Sequence, residues 1–176
     1  MIFEDGGYLR KIFHDLFCND RINFLELASY LTGYTSSSHI RGILQRVYYY
    51  DAIIDPSDDQ EEYNKQNQYL ENIREYNFHE VKTGRLIKTK EGYKQKGVDV
   101  LLAIDMITKA YHDQYDIAIL VAGDDDFIDV VKAVKDGAGK LVYGAFYPKT
   151  ASKRLINCFD MRIPLNEEIL KTFCEH

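Results

Sequence analysis

Cysteine is scarce in this 176-residue chain, and Cys18, Cys158 and Cys174 stand far apart with no CxxC and no Cys/His finger spacing. Neither a disulfide framework nor a structural zinc site follows from them, and the pattern fits a reducing cytoplasm. Long apolar runs are also missing. Nothing approaches the roughly 20 residues that span a bilayer, and no charged leader with an apolar core opens the chain, so a soluble cytoplasmic protein is expected. His14, His39, His79, His112 and His176 show no HxxxH or HxH spacing. A Walker-type glycine loop and a GxSxG elbow are both absent. No internal repeat, low-complexity tract or long linker divides the sequence, so residues 1 to 176 read as one domain, long enough to bury a substantial core.

Positive charge is in short supply as well, with 22 Lys and Arg against 28 Asp and Glu and a net charge of -6. That sum argues superficially against nucleic acid, since phosphate binding draws on basic surface. Distribution counts for more. Residues 82 to 96 hold Lys82, Arg85, Lys88, Lys90, Lys94 and Lys96 against Glu91 alone, a local charge of +5, while Asp55, Asp58, Asp59, Glu61 and Glu62 cluster with the opposite sign. The basic segment runs directly into an acidic one.

What the chain does have is concentrated between residues 94 and 127. Ile117 to Val121 is apolar at every position, as expected of a central parallel strand covered on both faces, and it delivers Asp124, Asp125 and Asp126 just past its carboxyl end. In open α/β sheets the ligand crevice lies outside those ends. Three carboxylates so close repel one another, and a divalent cation or basic neighbours would keep them ionised. Helix capping accounts for one or two of them. Asp124 is expected to point into the crevice, Asp126 to follow from the first helical turn, and Asp125 to face solvent.

In chain order, Met1 to Glu4 is a short strand reaching Asp5, followed by the turn residues Gly6 and Gly7. Tyr8 to Phe17 and Phe24 to Leu31 have helical spacing, and the aromatic, β-branched stretch from Arg46 to Ile54 reads as a second strand. There Tyr48, Tyr49 and Tyr50 are core or sheet-surface residues, with base stacking as the alternative. Asp58 to Tyr76 carries a narrow helical stripe. Phe78 to Thr89 reads as an extended ribbon turning at Gly84. Val98 to Tyr111 is helical, and after the aspartates come a helix closed by Gly137 and Gly139, a strand from Lys140 to Phe146, a short helix, a strand from Met161 to Leu165 and a terminal helix. This alternation implies a three-layer α/β/α fold with a mostly parallel sheet, in which Asp5 and Asp124 meet above the sheet. Asp99 marks the change from ribbon to helix, with capping as its plain alternative. Asp105 falls on the inward arc of that helix, so it must be paired, either as a partner of the ligands or as a ligand itself.

Phe3 through Asp5 and Leu9, Lys96 through Asp99 to Asp105, and Ala122 through Asp124, Asp126 and Phe127 together resemble the NYN domain family of PIN-like ribonucleases. Ser152 to Leu155 and Asp160 match its closing pattern, so the resemblance spans nearly the whole chain. It implies a PIN-like fold, an acidic pocket for Mg²⁺ or Mn²⁺, and hydrolysis of RNA phosphodiesters, with Asp5, Asp99, Asp124 and Asp126 at the acidic positions and Asp105 at a further one. Tyr8 stands where the family often has asparagine, and Ala122 replaces a frequent serine. The resulting expectation is a metal-dependent endoribonuclease whose RNA contacts are Arg85, Lys88, Lys90, Lys94 and Lys96, possible as a homo-oligomer and with no membrane association. The alternatives are a non-catalytic RNA- or protein-binding regulatory module on the same fold and a DNA nuclease.

Overall fold

The computed structural model describes residues 1–18, 21–36, 42–89 and 92–175. In chain order these form β1 (Ile2–Asp5), α1 (Gly6–Phe17), α2 (Phe24–Gly33), β2 (Val47–Ile54), α3 (Gln60–Arg74), β3 (His79–Thr89), β4 (Gly92–Lys96), α4 (Val98–Tyr111) and β5 (Ile117–Val121). A 3₁₀ turn (Asp125–Phe127) then leads into α5 (Ile128–Lys132), which closes in a π turn (Ala133–Gly137). β6 (Leu141–Phe146), α6 (Lys153–Ile156), β7 (Met161–Pro164) and α7 (Glu167–Thr172) complete the chain.

The seven strands form one sheet in the order β4-β3-β2-β1-β5-β6-β7. Every pairing is parallel except β3 with β4. Side-chain alternation along the strands feeds two apolar layers. Ile2, Tyr49, Ile119 and Val121 pack with Leu9 and Phe13 of α1, Leu27 and Leu31 of α2, Leu70 of α3 and Leu170 of α7. Phe3, Tyr48, Tyr50 and Leu120 pack on the other face with Leu102 and Met106 of α4, Val131 of α5 and Leu155 of α6. The expected three-layer α/β/α fold is present, and β5 is central as its continuous apolar run required. Tyr48, Tyr49 and Tyr50 are all buried, so they are core residues and offer no face to a base.

The ribbon differs from expectation in one respect. β3 runs straight through Gly84, which pairs with Ala52 of β2. What Gly84 allows is a close approach: a Cβ there would stand 2.7 Å from the Lys96 carbonyl oxygen and 3.0 Å from the Val98 nitrogen. The β4–α4 junction therefore rests on Gly84. Because Tyr50 aligns with both Asp5 and Lys82, the end of β3 and all of β4 rise beyond the carboxyl end of β1.

Candidate active site

β1 occupies the middle of the sheet, with β2 on one side and β5 on the other. The chain order reverses there, which is the switch point where α/β sheets open a crevice. Asp5 ends β1, and the turn at Gly123 and Asp124 follows β5. Gly97 brings the third carboxylate: its φ of +85° turns the ribbon into α4 without a side-chain cap, so Asp99 enters in the first helical turn. A φ of that sign strains residues with a Cβ, which accounts for glycine two positions before Asp99. Asp5, Asp99 and Asp124 line one cavity of about 490 Å³ together with Gly7, Gln95 and Gly123.

Capping and site-building coincide in two of these residues. Asp5 Oδ1 accepts from the Tyr8 N–H at 3.0 Å, capping α1. Asp124 Oδ1 accepts from the Asp126 N–H at 3.1 Å, capping the 3₁₀ turn. Each cap engages one carboxylate oxygen and leaves the other. Asp99 caps nothing.

Electrostatics ties the group together. Burial pushes the Asp5 carboxyl up to about 6, with Asp99, Asp51 and Asp124 adding repulsion and the Tyr8 N–H opposing. Burial followed by the charges of Asp124 and Asp126 raises Asp99. Among the described residues no three Asp, Glu, His or Cys side chains are already gathered closely enough to hold an ion as they stand. The donor set nonetheless suits a hard divalent cation, being all carboxylate oxygen and mutually repulsive.

The other predicted site residues are placed differently. Asp126 is exposed and does not line the cavity, although its charge reaches Asp99. Asp105, further along α4, accepts from the Tyr50 hydroxyl at 2.8 Å and pairs with Lys82. It anchors α4 to β2 and β3 and lies outside the cavity lining. Asp125 is half-buried rather than solvent-facing: Ser152 and Arg154 hold its two oxygens, locking the start of α6 onto the aspartate turn. Asp160 closes the far edge, accepting from the Val142 N–H and pairing with Lys135.

The basic ribbon is divided by its own register. Gln95 lies opposite Leu86, Lys94 opposite Ile87 and Lys96 opposite Arg85. Leu86 packs on the α4 side, so alternation puts Lys88, Tyr93 and Gln95 on that side and Arg85, Lys94 and Lys96 on the other. Arg85 and Lys88 both line a separate cavity of about 540 Å³ with Asp55, Tyr63 and Ile87. Lys82 is taken by Asp105, and Lys90 lies outside the described residues.

Several lining residues received no site role from the sequence, Tyr8 among them although it stood out as a departure from the family pattern. Gln95 reaches Gly7 so closely that a Cβ there would stand 2.7 Å from its Nε2. Tyr8 lays its ring on Gly123, where a Cβ would come within 2.5 Å, and its hydroxyl accepts from the Tyr147 N–H at 2.9 Å. Lys11, Asp15 and Leu16 extend the lining along α1. For the rest, the alternation of Gln95 with two lysines and the helical spacing of Gly7, Lys11 and Asp15 were the only hints.

The NYN domain model matches residues 1–166. The chain belongs to the NYN domain family. It is therefore a PIN-like, nuclease-type domain. No curated protein matches it significantly. Among solved structures, a protein of unknown function from Vibrio parahaemolyticus superposes with a TM-score of 0.72 at 22% identity, covering 99% of this chain and 94% of that one. At that identity the likeness concerns the fold. Among the described residues no helix of this NYN domain is long and apolar enough to cross a membrane.

Proposed function

We propose that this NYN domain is a divalent-metal-dependent endoribonuclease. The observation that carries the reading is the convergence of Asp5, Asp99 and Asp124, from three separate elements, on one cavity at the switch point of the sheet. These three would hold Mg²⁺ or Mn²⁺, with Asp126, whose charge reaches Asp99, as the fourth carboxylate beside them. A bound ion supplies charge neutralisation at the scissile phosphate and a more acidic water. The remaining work falls to the chain itself. Asp5 and Asp99, whose proton affinities burial and the neighbouring carboxylates raise, would be held in the ionised form by the ion they ligate. Gln95 offers amide donors to a phosphate oxygen, and Lys88, on the same side of the ribbon, is assigned a backbone contact beside the cut. Arg85, Lys94 and Lys96 project from the opposite side and are assigned no part in holding the scissile phosphate.

The test is a gel of end-labelled single-stranded RNA and its DNA counterpart incubated with the protein and Mn²⁺ or EDTA. Internal cuts in RNA with Mn²⁺, none with EDTA and intact DNA are expected. Uncut RNA under every metal condition would overturn the reading in favour of a binding module, and equal cutting of DNA would reassign the substrate.

A further inference from the structure

The cavity is larger than the chemistry of its carboxylates requires. At about 30 Å³ per water, a six-coordinate hydrated ion takes well under half of the space, whereas about 490 Å³ is the size of a small-molecule pocket. The extra room runs along α1. Gly7, Lys11, Ile12, Asp15 and Leu16 share one face of that helix and all line the cavity. At 1.5 Å rise per residue, the nine steps from Gly7 to Leu16 carry the pocket about 13 Å beyond the Asp5 end.

This arm has a different character from the carboxylate end. Ile12 is buried and Leu16 half-buried, giving an apolar wall. Tyr8 supplies an aromatic ring to the lining, with its Cε2, Cζ and hydroxyl close to Gly123 and its hydroxyl accepting from the Tyr147 N–H. Lys11 and Asp15 sit one turn apart at the rim. Neither is engaged in an ion pair or a side-chain hydrogen bond among the described residues, so both are available to a ligand.

We propose that the α1 arm of the cavity is a guanine-binding subsite for the nucleotide beside the scissile phosphate. The assignment rests on the nuclease reading for its place in the reaction, and on the residues that line the arm for its ligand. An unstacked base is recognised by an aromatic or apolar surface together with hydrogen bonds along its Watson–Crick edge. Guanine alone presents two adjacent N–H donors on that edge, which one carboxylate accepts together. Asp15 fills that role, while the Lys11 ammonium meets the O6 acceptor next to them.

Two readouts test it. The first is a metal-free titration of methyl-labelled protein with the four nucleoside 5′-monophosphates, following the methyl signals of Ile12 and Leu16. Saturable shifts with the guanosine nucleotide, roughly tenfold or more weaker with the other three, and lost in Asp15→Ala, are expected. No shifts at those methyls, or equal shifts with all four, would overturn the subsite. The second readout is the end sequence of fragments cut from a random single-stranded RNA pool. Cuts flanking guanine are expected from the wild type, with the cuts that Asp15→Ala still makes spread over all four bases. A preference that survives both Lys11→Ala and Asp15→Ala, or no preference in the wild type, overturns the subsite and leaves the nuclease reading standing. Guanine-selective methyl shifts without cleavage under any metal would uphold the subsite and sink the nuclease reading alone.

Discussion

Asp124 serves two ends with one side chain. Its Oδ1 caps the 3₁₀ turn while the carboxylate lines the cavity, so Asp124→Asn keeps a cap acceptor and loses the charge that a hard cation needs. Cleavage should fall to background while the circular dichroism spectrum stays that of the folded protein, and near-normal turnover at saturating Mn²⁺ would refute the assignment. Glu4, one residue before Asp5, makes a separate prediction. It is fully buried, and among the described residues neither carboxylate oxygen has a hydrogen-bond partner. Burial pushes its carboxyl up to about 8. A folded-state value above the unfolded one favours the protonated form, so this stabilisation is complete below about pH 4.5 and is lost as pH rises through 8. Between pH 6.5 and 8.5 the wild type should lose roughly 2 kcal/mol relative to Glu4→Gln, at ~1.4 kcal/mol per pKa unit. Parallel stability profiles for the two proteins, from urea unfolding across that range, would show that Glu4 does not titrate there.

The β3–β4 ribbon is the element on which the site depends without contributing a carboxylate. It extends beyond the sheet, turns at Gly97 and sets Asp99 over the crevice. Its position is fixed where the Lys96 carbonyl and the Val98 amide close on Gly84. Gly84→Ala puts a methyl group against backbone, which cannot swing aside, so a loss of about 1–3 kcal/mol is expected from denaturant unfolding. A neutral result would mean that the junction is slack. The division of the ribbon into two faces is testable through salt. Single-stranded RNA binding loses roughly 0.7 from its logarithmic salt slope for each phosphate contact removed. Lys88→Ala should show about that change in fluorescence anisotropy, whereas the Lys94→Ala, Lys96→Ala double variant should leave the slope in place. The reverse order would put the RNA on the α3 side.

At the scale of the whole molecule, folding itself creates the repulsion that a cation relieves. Asp5, Asp99 and Asp124 arrive from β1, α4 and the turn after β5, and Asp5 is raised to about 6 by burial and by its neighbours. An ion that binds only the folded state stabilises it by about 2.7 kcal/mol at a hundredfold excess over Kd. For a chain of this size that corresponds to a rise in Tm of roughly 5–10 °C. Asp99→Asn should show a smaller rise. Equal melting temperatures with EDTA and with Mn²⁺ would count against the metal site.

The sequence by itself determined the alternation of strands and helices, because the 3.6-residue and two-residue apolar periods are local properties of the chain. It also placed Asp5 and Asp124 at strand ends, since a strand followed by glycine and aspartate is legible without knowing its neighbours. Gly97 and Asp99 were readable for the same reason. Tertiary structure alone decided which carboxylates share a cavity. The sequence left Asp105 open between a ligand and a partner of the ligands and expected Asp125 to face solvent; only the packing of Tyr50 and Lys82 against the one, and of Ser152 and Arg154 against the other, decided where each carboxylate sits. The ribbon's lysines form one basic run in sequence and two opposed faces in space, because the pairing register of β3 with β4 is set by a partner strand that no local window contains. Lys11, Asp15 and Gln95 joined the site by the same route: their neighbours across the cavity lie on other elements, and proximity of that kind has no period to read.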